Sequence, residues 1–501
     1  MEMHRQVVYP DDLDLLLVEL ELLSTGRKVF HNLHYRWMGK NHETIWINCR
    51  GRVLSDPEDG SPRYLVGCIN EIGAKQKADN VSGLLGEYSL KIFYESRSPK
   101  LPQGFLLRIG IDDFKNINES HGNEYGDYIL RRTAQCIEEN IGPEQSLFHI
   151  VADEFAVVDF SGGSVQQAED LFHEIKKSIY AFIEQNQYKA VYTVSGGIVK
   201  NGDVDNSFEN AMKLSEFALS EAKERGKNSC YVFEEEEYED YLKSRTLLRQ
   251  LHHAVNNGFE GFEAYFQPLV NAANGELTGA ETLLRFHSPE GGMVSPGEFI
   301  PILEESGLII PVGRWVLRQA LDACREWQKI LPEFKVNVNL SYVQVLKSRV
   351  LTDVRRIVDE FGVKPSSVCI ELTESGYLEE NERFDKVWNG LKEYGVLLAL
   401  DDFGTGYSNL RCLSDLKPAY IKIDRSFTLK ALNREYEYRL LNHIVEMSHS
   451  LGLHVCVEGI ETEGELTKAK QTEPDYIQGF LFGKPCSRAE FTQKFFTKQA
   501  G

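Results

Sequence analysis

Paired cysteines are missing from this chain of 501 residues. Nine cysteines (Cys49, Cys68, Cys136, Cys230, Cys324, Cys369, Cys412, Cys456 and Cys486) stand singly, with no CxxC and an odd total. That spacing excludes a disulfide framework and a zinc site, and suits a reducing, cytoplasmic compartment. Long apolar runs are missing too. The most apolar early stretch, Leu13–Leu23, is interrupted by Asp14, Glu19 and Glu21 and cannot span a bilayer. Met1–Asp12 is polar and mixed, unlike a signal peptide. A soluble protein without a membrane span is expected. Basic residues are in deficit, 55 Lys and Arg against 76 Asp and Glu, for a net charge of −21. Such a balance argues against a nucleic-acid polymer or an anionic membrane as partner. It stays compatible with a small phosphorylated substrate held through divalent cations.

An apolar fraction of 42% fills ordinary cores, and the length calls for two or three domains. In the second half, eight short apolar segments each run into an acid, an amide or a base. They are Phe262–Val270, Leu277–Phe286, Lys335–Ser341, Val368–Ser375, Leu397–Gly404, Tyr420–Arg425, His454–Ile460 and Tyr476–Phe480. Helical periodicity fills most of the gaps, as in Gly313–Gln328 and Glu435–Leu451. Strand–helix alternation of this length predicts a (β/α)8 barrel, whose chemistry gathers where strands end. Glu281, Asn339, Glu371, Asp401, Asp402, Lys422, Glu458 and Gln478 fall at or near those ends. Buried strands have little reason to carry carboxylates unless something cationic balances them.

Carboxylates and an amide carbonyl are hard donors suited to Mg²⁺ or Mn²⁺. No His/Cys cluster competes for a softer metal. The adjacent pair Asp401–Asp402 is costly unless metal neutralises it, and one of its members has the placement to bridge two cations. Bridged cations clamp the attacking and leaving oxygens during in-line hydrolysis of a phosphodiester. The glycines of DDFGTGYS, Asp401–Ser408, make a mobile loop beside that site. Phe480 and Phe482 alternate as strand core would, and Trp315, Trp327 and Phe334 read as helix-to-barrel packing.

These residues resemble the EAL family of cyclic-di-GMP phosphodiesterases from about Glu263 to Pro485. The motifs are YFQPLV, Glu281-Thr282-Leu283 with Arg285, SPGEFIPILEESGLI, NVNLS, ELTES, DDFGTGYSNL, KIDR, VEGIET and QGFLFGKP. The resemblance implies two Mg²⁺ or Mn²⁺ ions and hydrolysis of cyclic di-GMP to linear pGpG. It makes Glu281, Asn339, Glu371 and Asp401 ligands of a first metal, with Asp401, Asp402 and Glu458 on a second. Lys422 would hold the attacking water, with Glu458 close to it. Gln267, Arg285 and Gln478 become substrate contacts, while Glu374 and Glu461 support the loop and the site. Thr282 replaces the alanine of the name motif, at a position whose side chain points away from its neighbours.

The first half divides in two. Val29–Trp37, Thr44–Leu54 and Arg63–Asn70 are strand-like and resemble the C-terminal half of a PAS sensor domain, with Tyr9–Asp12 as its lead-in. So partial a sheet implies signal relay rather than cofactor binding. GIDDFKNINESHGNEYGD (Gly110–Asp127), HIVADEF (His149–Phe155) and ALSEAKERGKN (Ala218–Asn228) resemble a GGDEF diguanylate cyclase domain. Gly110 replaces that family's first metal-binding aspartate, and Val151 and Ala152 replace the glycines that admit the nucleotide. Half a ligand set cannot run two-metal phosphoryl transfer, so an inactive, regulatory domain is expected. Retained Asn118, Asp127 and Glu154 leave GTP as its candidate ligand. The expected domains are 1–77 (partial PAS-like), 78–235 (degenerate GGDEF) and 243–501 (EAL barrel), in a cytoplasmic homodimer.

Overall fold

The computed structural model describes residues 7–38, 44–56, 61–72, 79, 81–97, 103–186, 191–203, 207–373, 382–404 and 410–497. The chain divides into two compact units, Met1–Glu239 and Asp240–Gly501. In the first unit, helix Leu13–Ser24 precedes an antiparallel meander of β1 (Phe30–Met38), β2 (Thr44–Ser55) and β3 (Pro62–Ile72). Val8, Leu16, Tyr35 and Ile47 make its small core.

A second sheet follows in the same unit. It comprises β4 (Phe105–Ile111), β5 (Gln145–His149), β6 (Glu154–Asp159), β7 (Val194–Lys200) and β8 (Cys230–Val232), in the order β5-β6-β4-β7-β8. Central β4 is buried along its whole length, so its alternate side chains feed two cores. Phe105, Leu107, Ile109 and Ile111 meet the helices Asn123–Asn140 and Val165–Gln185. Leu106 faces the helices Glu87–Arg97 and Phe208–Glu224. In the turn between β5 and β6, Ala152 is held at φ +51°, and Val151 is exposed. Left-handed backbone costs an L-residue about 1–2 kcal/mol that glycine avoids. Ala152→Gly should therefore raise the unfolding midpoint of this domain by the equivalent of ~0.5–1 kcal/mol after glycine's larger chain entropy is subtracted. Thermal unfolding of the two proteins side by side measures the difference.

Helix Glu235–Asn256, acidic in its first turn at Glu235, Glu236 and Glu237, begins before the boundary at Asp240, and the second unit continues from it into a closed barrel. Its strands are β9 (Phe262–Asn271), β10 (Leu277–His287), the short β11 (Met293–Val294), β12 (Lys335–Asn339), β13 (Val368–Thr373), β14 (Leu397–Phe403), β15 (Tyr420–Ile423), β16 (His454–Val457), β17 (Tyr476–Gln478) and the short β18 (Cys486–Ser487). β10 and β12 to β17 run parallel in sequence order, and β9 closes the ring by pairing with both β10 and β17. β9 is antiparallel to both neighbours, a departure from the uniform strand direction expected of a (β/α)8 barrel. Its cause is covalent. Only Ala272–Glu276 separates β9 from β10, and a parallel crossover needs about a dozen residues or more.

Helix Ile309–Trp327 packs outside the barrel, with Trp327 and Phe334 fully buried and their rings 5.2 Å apart. Thr282 turns outward from β10 into that apolar shell. It is 2% exposed, and its hydroxyl oxygen has no hydrogen-bond partner. An unmet buried hydroxyl costs about 1–3 kcal/mol. Thr282→Val keeps the shape, and should raise barrel stability by ~1 kcal/mol in denaturant titrations without changing catalytic turnover. Among the described residues no helix is long and apolar enough to cross a membrane.

Candidate active site

Parallel strands deliver their C-terminal residues to one end of the barrel, and there the polar side chains meet. The Lys422 ammonium, 2% exposed on β15, sits among four carboxylates. Nζ lies 3.2 Å from Glu281, 3.0 Å from Glu371, 3.3 Å from Asp401 and 2.8 Å from Glu458. Asn339 on β12 donates to Glu281 at 3.0 Å. Gln478 at the end of β17 donates to Glu281 at 2.7 Å and to Gln267 at 3.1 Å. Gln267 stands opposite Glu281 in the β9–β10 register, so the hairpin itself sets that pair.

Adjacent side chains of a regular strand diverge to opposite faces. At Asp401 and Asp402 the strand is irregular. The β14–β15 register shifts between Leu400 and Phe403, and Asp402 adopts φ +56°. Its backbone N–H donates to the Asp401 carboxylate at 3.0 Å. Bulges and left-handed backbone at a strand end are tolerated where they re-aim functional side chains.

Charge in the cluster is unevenly shared. Burial opposes ionisation of Glu281, but Lys422, Gln478 and Asn339 outweigh it and hold its carboxyl below the usual range. Burial raises Glu371 well above that range and raises Asp401 too, against the pull of Lys422. Glu458 is pushed up to about 8 by burial, and Asp402 to about 6 by burial and then Asp401. For Lys422, burial is overcome by Asp401, Glu281, Glu371 and Glu458, which keep it protonated. One ammonium cannot compensate four carboxylates, and the donor set fits additional cations. Oxygens of Glu281, Glu371 and Asp401 lie within 4.8 Å of one another, the only such trio of ligand-type side chains found among the described residues. Buried hard oxygens at this spacing suit Mg²⁺ or Mn²⁺.

The remaining predicted residues lie around this centre. Arg285, half-buried four residues along β10, stacks over Tyr265 at 5.6 Å and donates to the Leu284 carbonyl rather than to the cluster. Glu461 pairs with Arg425 at 2.6 Å. Glu374 and residues 405–409 of the glycine loop fall outside the described residues. An open cleft of about 140 Å³ is lined by Glu281, Glu458, Gln478, Arg425, Glu461 and Phe480, among others. Phe480 corrects a sequence expectation: it is 43% exposed at the cleft, not core, with Arg425 5.8 Å and Lys484 5.3 Å from its ring. It follows β17 by two residues, so strand alternation had no hold on it. Arg425 and Asn337 were also missed. Asn337, which donates to Glu371 at 2.7 Å, carries no signal of its own beyond a polar residue inside a buried strand.

Among the described residues the cyclase-like sheet offers no comparable cluster of acids. A Cβ on Gly110 would lie 3.0 Å from the Lys223 ammonium. Glu154 is engaged by the buried Arg108, whose Nε approaches to 2.6 Å. Asp112 accepts from the Thr193 and Ser195 hydroxyls at 2.6 and 2.7 Å and from the Asn228 N–H at 3.2 Å. Glu154 thus has a cation and Asp112 three donors.

Comparison with known proteins finds three domain matches along the chain. Residues 248–485 match the EAL domain, 89–229 the GGDEF diguanylate cyclase domain and 1–69 a PAS fold. A solved structure described as "PaMucR Phosphodiesterase, c-di-GMP complex" is 32% identical, covering 49% of this chain and 99% of that one, with a TM-score of 0.46. The chain carries an EAL domain. Among curated relatives, protein y4lL of Sinorhizobium fredii is 32% identical over 81% of this chain and 49% of its own length. The Escherichia coli cyclic di-GMP phosphodiesterase PdeR is 29% identical over 90% of this chain and 67% of its own length. The Pseudomonas aeruginosa bifunctional diguanylate cyclase/cyclic di-GMP phosphodiesterase MucR is 29% identical over 76% and 55%. The chain spans about half the length of the first curated relatives it matches.

Proposed function

We propose that this EAL protein hydrolyses cyclic di-GMP to linear pGpG with two Mg²⁺ or Mn²⁺ ions. The observation that carries the reading is the buried trio Glu281, Glu371 and Asp401 packed around Lys422. The substrate class comes from relatives named or solved as cyclic di-GMP enzymes.

Glu281, Asn339, Glu371 and Asp401 would hold one cation, and Asp401, Asp402 and Glu458 the second. Bound divalent ions supply Lewis acidity at phosphorus and lower the pKa of water. Lys422 orients the attacking water, and Glu458, 2.8 Å from Lys422, is placed beside it to take a proton. Attack opens one P–O ester bond of the ring, and the released oxygen leaves as the hydroxyl of pGpG. Arg285 grips a phosphate as a planar two-pronged donor. Gln267 and Gln478 contact the substrate, while Glu374 and Glu461 steady the surrounding loops. Measured pGpG formation should require Mg²⁺ or Mn²⁺ and stop on chelation. Folded protein that turns over nothing in either metal rejects the reading.

The 78–235 domain acts in this proposal as an inactive GGDEF regulator, with GTP as its candidate effector, between a partial PAS-like relay (1–77) and the catalytic barrel (243–501). Its inactivity is supported by Gly110, by Val151 and Ala152, and by the capture of Glu154 by Arg108. Phosphodiesterase rates unmoved by GTP would dismiss the effector role. The proposal places the protein in the cytoplasm as a homodimer.

A further inference from the structure

We propose that Asn337 is a positioning residue for the cation at Glu371, an inference that rests on the phosphodiesterase reading. Asn337 precedes Asn339 by two residues on β12, so both side chains belong to one face of the strand. In register it lies between Glu281 of β10 and Cys369 of β13. Its amide donates to Glu371 Oε1 at 2.7 Å, while Oε2 lies 3.0 Å from Lys422. Glu371 is 0% exposed, so water does not compete for either oxygen. With both oxygens engaged, the carboxylate has one orientation, and Asn337 fixes it without adding charge.

The other donors nearby are committed elsewhere. The space beneath Lys422 is lined by Asn337 together with Thr278, Lys335, Cys369, Tyr420 and Cys456, among others, and the Lys335 ammonium donates to the Tyr420 hydroxyl at 3.0 Å. The Thr278 hydroxyl is committed to the Leu269 carbonyl at 3.0 Å, and thiols are weak donors. Asn337→Ala would leave Glu371 Oε1 buried without a partner, free to rotate away from the trio.

Residues that orient a metal ligand typically govern metal affinity by about 10–100-fold. Calorimetric titration of Mn²⁺ into the full chain should show Asn337→Ala binding about tenfold or more weakly than wild type. Asn337→Ser, which keeps a hydroxyl donor, should fall between them. The KM for cyclic di-GMP should stay unchanged while the Mn²⁺ concentration for half-maximal rate rises. Circular dichroism establishes folding; should Asn337→Ala not fold, the serine variant decides. Variants that bind Mn²⁺ within about twofold of wild type overturn the role of Asn337 alone. A wild-type protein that takes up no Mn²⁺ overturns the phosphodiesterase reading beneath it.

Discussion

Lys422→Met should cost about 10³-fold or more in cyclic di-GMP turnover, and should also destabilise the barrel by ~3–5 kcal/mol. Methionine preserves most of the stem's volume, so the loss isolates the ammonium. That group lies within hydrogen-bonding or ion-pairing reach of Glu281, Glu371, Asp401 and Glu458. Removing the one cation among buried acids leaves them with mutual repulsion and no compensation. Arginine is no substitute, because its planar fork does not fit a cavity shaped for a point charge. The two effects separate experimentally. Saturating Mn²⁺ should restore much of the thermal midpoint, since added cations again neutralise the acids. Turnover should not return, because the water loses its orienting donor. A variant whose rate recovers together with its stability would show that Lys422 is only a structural counter-ion.

What the sequence made legible follows from how local each signal is. Barrel strands are short apolar runs ending in polar residues, and the parallel order of β10 and β12 to β17 brings those endings together. Segment-by-segment reading therefore found Glu281, Asn339, Glu371, Asp401, Lys422, Glu458 and Gln478. The reversed direction of β9 was also legible, in the short span Ala272–Glu276, yet a count of strands and helices passes over it. The irregularity at Asp401–Asp402 was not legible, because nothing in two adjacent aspartates announces φ +56°. Asn337 and Arg425 act through partners more than thirty residues away in sequence, at Glu371 and Glu461. In the cyclase-like domain the missing aspartate at Gly110 was plain. Arg108 on Glu154 and Lys223 beside Gly110 depend on strand pairing and helix packing that no motif spells out.

Glu281→Gln should abolish turnover as thoroughly as Lys422→Met, yet at a smaller cost in stability. Glu281 holds the cluster's charge: Asn339 donates to one oxygen, and Gln478 and Lys422 to the other. It is also one of the three buried carboxylates close enough to share an ion. Exchanging its charge for an amide removes a hard ligand, so Mn²⁺ uptake should weaken and hydrolysis fall by about 10³-fold or more. Hydrogen bonding need not suffer. With the new NH₂ on the Asn339 side, turning the Asn339 amide over offers it an acceptor, and the remaining oxygen keeps Gln478 and Lys422 as donors. Four carboxylates around one ammonium become three, and the Glu281 charge that adds to burial in raising Glu371 and Asp401 is gone. The charge lost is nonetheless one that the fold holds ionised, so in metal-free buffer the midpoint should fall, by the equivalent of only ~1 kcal/mol. Thermal unfolding under chelation, paired with a pGpG assay, reads both quantities on one preparation. A Glu281→Gln protein that still hydrolyses cyclic di-GMP, or that unfolds as early as Lys422→Met, would contradict the charge balance from which both expectations come.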